Sequence, residues 1–145
     1  MIREAVPEDA PSIEQLYRIL LPDQKDIKVL PARIGQIATN PESFLYVYEA
    51  DGAVVGTVHL HFCMDALSGE RPFAVIERVV TAPETRGKGY GAALMRHAEE
   101  TAAARGALKV MLSSAMRRTE AHRFYERLGY DGDGSRLFKR YLNSD

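Results

Sequence analysis

Residues 86–92 read R-G-K-G-Y-G-A, from Arg86 to Ala92, with glycine at every second position from 87 to 91. An alanine-rich run with helical spacing follows. Glycine inside a helix costs about 1 kcal/mol relative to alanine, so three of them at a helix start need a reason. Without Cβ atoms, a ligand can reach the main-chain N–H groups. The first N–H groups of any helix lack internal partners, and the helix dipole adds partial positive charge there. Arg86 and Lys88 bring more. Phosphate is the guest such a backbone suits. The phosphate loop G-x-x-x-x-G-K-[ST] and the dinucleotide fingerprint G-x-G-x-x-G do not fit this stretch.

Working outward, the run Phe73 to Thr81 ahead of the loop reads as a strand, and the helix after it runs to about Ala104. Leu94, Ala98 and Thr101 share one face, and Gly106 closes it. Upstream, Phe44 to Glu49 and Ala53 to Cys63 are β-rich runs joined at Asp51-Gly52, a hairpin signal. Ile2 to Val6 reads as a strand, and Asp9 is placed to cap a helix carrying Ile13, Leu16, Tyr17 and Leu20 on one stripe. A weaker helical stretch, Ile27 to Thr39, is interrupted by Pro31. Downstream come a strand at Leu108 to Leu112, a helix at Thr119 to Leu128 and a last strand at Arg136 to Tyr141. The order is β, α, α, an antiparallel meander, then β-loop-α-β-α-β. It predicts an α+β fold with helices on a mixed sheet, in one domain over residues 1–145.

Apolar residues make up 46% of the chain and charged residues 27%, an ordinary globular balance. The N-terminal residues show no apolar leader, and no apolar run is long enough to span a bilayer, so no membrane partner is expected. The single cysteine, Cys63, excludes an internal disulfide and fits a reducing cytoplasm. The net charge of −1 speaks against generic nucleic-acid binding, yet it hides an asymmetry. Residues 1–85 hold 7 Lys/Arg against 13 Asp/Glu, and residues 86–145 hold 12 against 7. A basic half suits a small phosphorylated ligand, or is merely an unevenly charged surface.

The pattern R-x-x-G-x-G/A, with Arg86, Gly89 and Gly91 in place, resembles the pyrophosphate motif of the Gcn5-related N-acetyltransferases, the GNAT family. Val79 to Glu84 is similar to the strand and turn that precede it there. Ala121-His122-Arg123-Phe124-Tyr125-Glu126-Arg127-Leu128-Gly129-Tyr130 resembles the family's second signature, A-x-x-F-Y-x-x-x-G-F/Y. The resemblance covers nearly the whole chain. It implies acetyl-CoA as cosubstrate, held where the central strands splay by Val79, Val80, Thr81, Arg86, Gly87, Lys88, Gly89, Tyr90, Gly91 and Ala92, with no metal. Leu112 to Tyr125 and the Asp51-Gly52 hairpin with Val54-Val55-Gly56 also look like the aminoalkylphosphonate acetyltransferases.

Acetyl transfer from a thioester to an amine needs a neutral amine, a polarised carbonyl and a proton for the departing thiolate. The resemblance implies Tyr125 as the acid; the other reading is an aromatic core residue beside Phe124. Glu77, near where the family often places a carboxylate acting through water, is the candidate base, or else an ion-pair partner of Arg78 or Arg71. Alternation puts Glu77, Val79 and Thr81 on one face and Ile76, Arg78 and Val80 on the other. Amides near Val79 and Val80 would polarise the carbonyl.

His59, His61 and Cys63 share one strand face. As a metal triplet they lack a fourth ligand with recognisable spacing; His59 and His61, with Arg78, read better as acceptor-pocket residues. His97 reads as surface. Arg117, Arg118 and Arg123 are solvated or near coenzyme A phosphates, and Ser113-Ser114 could line the site. The expected activity is acetyl transfer to the primary amine of a small molecule, with an anionic acceptor and an aminoalkylphosphonate the most specific form. Arg71, His59, His61 and Arg78 favour that, whereas Glu77, Asp65 and Glu70 would suit a polyamine. A non-catalytic acetyl-CoA-binding module and a protein or peptide N-acetyltransferase are the alternatives. A homodimer is compatible with such a fold but has no direct marker in the sequence.

Overall fold

The structure is a computed structural model, and it describes residues 1–142. The chain forms two compact units, Met1–Leu112 and a second from Ser113 onward. The first unit holds a five-stranded sheet in the order β1 (Ile2–Glu4), β2 (Ser43–Ala50), β3 (Ala53–Cys63), β4 (Phe73–Thr81) and β5 (Val110–Met111). Neighbours are antiparallel except β4 and β5, which are parallel. The β2–β3 turn has Asp51 at φ 51° and Gly52 at φ 78°, the two positive angles a tight hairpin turn requires.

Register sorts the side chains into two cores. Tyr46, Val58, Leu60, Ala74 and Ile76 are buried on one face, where α3 (Tyr90–Ala104) packs with Leu94, Met95, Ala98 and Ala102 also buried. The other face carries Leu45 and Val47, which cluster with Ile13 of α1 (Ala10–Leu20) and Ile34 of α2 (Pro31–Ala38). The α1 stripe is as expected, with Ile13 and Leu16 buried.

Several expectations need correction. Strand β1 stops at Glu4, and β5 has only two residues. Asp9 makes no side-chain cap to α1; its carboxylate accepts the Val6 N–H at 2.8 Å and pairs with Arg3 at 2.8 Å. Pro31 does not interrupt a helix but begins α2, since its fixed φ suits the first turn, where no N–H partner is needed. His97 is half-buried, edge-on to Tyr46 with ring centres 4.5 Å apart. In the second unit, α4 (Thr119–Arg127) forms, but 136–141 makes no strand, and Leu137, Phe138 and Tyr141 are exposed.

The largest correction concerns β4. Arg78 has φ 57°, and the register slips there: His59 faces Glu77, whereas Thr57 faces Val80. Val58 thus stands opposite two residues, Arg78 and Val79, a β-bulge. The extra residue resets the alternation. Glu77 and Val80 lie on the α1 face, and Ile76 and Thr81 on the α3 face, not in the grouping that strict alternation predicts.

Candidate active site

The glycine loop lies between β4 and α3. A 3-10 turn, Pro83–Thr85, precedes it, held by Thr85 Oγ1 donating to the Ala82 carbonyl at 2.7 Å. Gly87 and Gly89 have φ of 86° and 80°, left-handed angles that disfavour any side chain, and Gly89 is the N-cap of α3. The helix ladder starts with the Ala93 N–H donating to the Gly89 carbonyl at 3.0 Å, so the N–H groups of Tyr90, Gly91 and Ala92 precede it. Arg86 and Lys88 are exposed beside them. The Tyr90 ring stacks on Tyr48 with centres 4.1 Å apart, which pins the first turn to the sheet. An open main-chain cradle at a 15-residue helix N-terminus, flanked by two cations, fits a pyrophosphate.

Strand β4 leads into this loop, and its pairing with β5 is confined to Ala74–Val110 and Val75–Met111. Among the described residues, 76–81 pair only with β3. The bulge at Arg78 therefore sits where the sheet opens, and Val79, Val80 and Thr81 occupy the strand between bulge and loop.

On the α1 face a groove of about 1130 Å³ runs between the sheet and the helices. His59, His61, Glu77 and Arg78 all line it. Ser43 Oγ and His59 Nε2 are hydrogen-bonded at 2.8 Å, and the two histidine rings lie 3.9 Å apart. Burial holds the His59 imidazole down to about 4, with His61 and Arg78 adding to the effect. His61 is also lowered, chiefly by burial; Arg78 contributes, and the Glu77 carboxylate opposes it. Both rings are therefore neutral hydrogen-bonding groups near pH 7. Of the strand residues that line the groove the cationic one is Arg78, 3.6 Å from Glu77; Lys28 and Arg33 line it from outside the sheet. Glu77 makes the loose ion pair with Arg78 that was one of its two expected readings, and it lines the groove.

Arg71 does not join this cluster. It donates to the Gly106 and Ala107 carbonyls at 3.0 and 3.2 Å. Cys63 lines the groove with the histidines, and among the described residues no group of three or more His, Cys, Asp or Glu side chains is arranged to hold a metal. Tyr17 and Ser43 are groove residues that sequence reasoning missed as such. Tyr17 was visible only as part of the α1 stripe; burial pushes its hydroxyl up to about 12.

In the second unit, Tyr125 lies on α4, 8% exposed. Its ring meets Phe124 and Tyr130 edge-on at 5.1 and 6.2 Å. Burial raises its pKa, and Arg118 partly opposes this, so the phenol keeps its proton at neutral pH. Ser114 Oγ is buried without a hydrogen-bond partner.

Residues 10–130 match the family model described as Acetyltransferase (GNAT) family. An aminoalkylphosphonate N-acetyltransferase from Salmonella typhimurium is 31% identical over 138 residues, which cover 95% of this chain and 89% of that protein. A Trypanosoma brucei acetyltransferase structure has a TM-score of 0.75 at 27% identity, with 100% of this chain and 98% of that chain covered. Aminoglycoside N-acetyltransferase AAC(6')-Iy, solved in complex with CoA, shares the fold at a TM-score of 0.80 and 18% identity, covering 99% of this chain and 95% of that one. The α+β architecture, the glycine loop at the start of α3 and these matches agree: the chain belongs to the GNAT family of N-acetyltransferases.

Proposed function

We propose that this chain transfers the acetyl group of acetyl-CoA to the primary amine of a small, anionic molecule, an aminoalkylphosphonate being the most specific candidate. The observation that carries the reading is the bulge at Arg78. Register sets Glu77 opposite His59, and the bulge brings Arg78 to the same groove beside His59 and His61, on the strand that feeds the glycine loop. The 31% identity to the aminoalkylphosphonate enzyme points the same way.

Each step has a candidate group. The N–H groups of Tyr90, Gly91 and Ala92, with Arg86, Gly87, Lys88 and Gly89, hold the pyrophosphate. Val79 and Val80 offer amides to the thioester carbonyl, and Thr81 lies along the pantetheine arm. Acetyl-CoA supplies the activated acyl group. Glu77 takes the amine proton through water, the amine attacks the carbonyl directly, and Tyr125 gives its proton to the thiolate. Arg78 offers the phosphonate a charged hydrogen bond, while neutral His59 and His61 orient it. Arg78 thus replaces the histidines as the anion's cationic partner.

The test is thiol release with aminoethylphosphonate, an α-amino acid, a hexosamine phosphate and spermidine at matched concentration. Turnover of the phosphonate above the others is expected. Turnover of spermidine alone would overturn the anionic acceptor, and Glu77 and Glu42, both lining the groove, would then be its partners.

A further inference from the structure

The groove is far larger than an aminoalkylphosphonate head requires. Aminoethylphosphonate has seven non-hydrogen atoms; at roughly 30 Å³ each, the share of a water molecule, it fills on the order of 200 Å³. The groove has about 1130 Å³. Polar residues line the rest of it too, among them Lys28, Arg33, Gln36, Asn40 and Glu42, but beside the histidines the wall is apolar. Leu45 pairs directly with His59 across β2 and β3, so apolar surface begins beside the histidines. Leu45 clusters with Ile13 and Ile34, and Tyr17, Val29 and Ile37 pack against them. All six line the groove.

Two of the charged residues that line the groove already have partners. Arg33 Nε donates to Gln36 Oε1 at 2.8 Å, and Glu42 pairs with Arg105 at 3.3 Å. The segment bearing Val29 is also held in place: Glu14 accepts the Val29 N–H at 2.9 Å, and Arg18 donates to the Ile27 carbonyl at 3.0 Å. This apolar wall is therefore tied down rather than an open loop.

We infer that the acceptor carries a hydrocarbon or aromatic body, seated against Tyr17, Val29, Ile37 and Leu45, beyond its amine and anionic head. This deepens the proposed acceptor reading and rests on it for the head group alone. Each methylene moved from water onto that wall then favours binding about fourfold. Such surface gives affinity to any apolar chain of fitting length, whereas the polar cluster fixes the orientation.

The experiment compares kcat/KM of the full-length protein for α-aminoalkylphosphonates whose side chain grows from methyl to hexyl. Unbranched primary alkylamines of growing length, lacking the anion, form a parallel series. A rise approaching fourfold per methylene, levelling off once the wall is covered, is expected. In Ile37→Trp, whose indole would fill the slot, the hexyl-to-methyl ratio should fall by about tenfold or more. Phosphonates turned over with no dependence on chain length would overturn the apolar-body inference while the anionic reading stood. A chain-length rise in the alkylamines alone, with phosphonates inert, would overturn the anionic reading and support the apolar body. An unchanged ratio in active Ile37→Trp would count against the inference.

Discussion

Arg86 to Ala92 and the cluster of His59, His61, Glu77 and Arg78 both belong to the first unit, but they are made of different material. The loop works through its main chain: two left-handed glycines and a helix start present N–H groups whatever the neighbouring side chains are. The groove works through side chains from different strands, and one residue of register decides which of them meet. A main-chain site is encoded locally by residues whose conformational freedom cannot be substituted. A side-chain site is encoded by pairing between strands, so its members lie far apart in sequence.

The largest effect should come from Gly89→Asp. At φ 80° with the N–H groups of α3 alongside, a carboxylate adds both strain and repulsion at the proposed pyrophosphate cradle. Acetyl-CoA binding by calorimetry should be lost while circular dichroism stays unchanged. Retained affinity would break the main-chain half of the comparison.

Tyr125→Phe should come next. General acid catalysis is typically worth about 10²–10⁴-fold, and the loss should fall on kcat rather than on KM for acetyl-CoA, because in the proposed mechanism the hydroxyl acts as the thiolate leaves. Wild-type kcat on the best amine would return Tyr125 to a packing role against Phe124 and Tyr130. Glu77→Gln should cost kcat/KM about 10²-fold, at the lower end of the same range, because the proposed base works through water. Cofactor affinity should not move. A drop in acetyl-CoA binding instead would mean that the groove and the loop are one element rather than two.

The smallest effect is on stability. The folded state holds His59 at about 4, below its ordinary 6.5, so between those values the unfolded chain binds more protons. Stability is therefore full above pH 6.5 and declines as pH falls toward 4. Discounted for the partial exposure of the ring, the decline is about 2 kcal/mol. Asp9, whose carboxylate is held below its usual value by Arg3, acts in a lower window, losing its contribution only as pH falls below the ordinary carboxylate range. Urea unfolding at pH 7 and 4.5 should show the first decline in the wild type. His59→Gln, which keeps a partner for Ser43, should show much less of it. An identical decline in both would mean that burial of His59 does not govern the acid sensitivity of the groove.

Elements with a strong local signal were legible. The hairpin at Asp51-Gly52, the stripe on α1 and α3 from the glycines to Ala104 follow from turn chemistry and helical spacing. Pro31 was misread because proline forbids a helix interior but favours a helix start, and only the surrounding contacts show which applies. The strand expected at 136–141 has the right residue types, but a strand needs a partner, and none pairs with it among the described residues.

The sequence by itself determined the family and the glycine cradle, and it nominated Glu77 and Tyr125 as candidates. The family and the cradle rest on short motifs whose geometry is fixed within a few residues. Only the tertiary structure decided that Glu77 shares a face with Val80, that Arg78 and two neutral histidines meet in one groove, and that Leu45 and Tyr17 line it. The reason is the left-handed Arg78: nothing in its side chain announces a bulge, and one unpaired residue moves everything after it to the opposite face of the sheet.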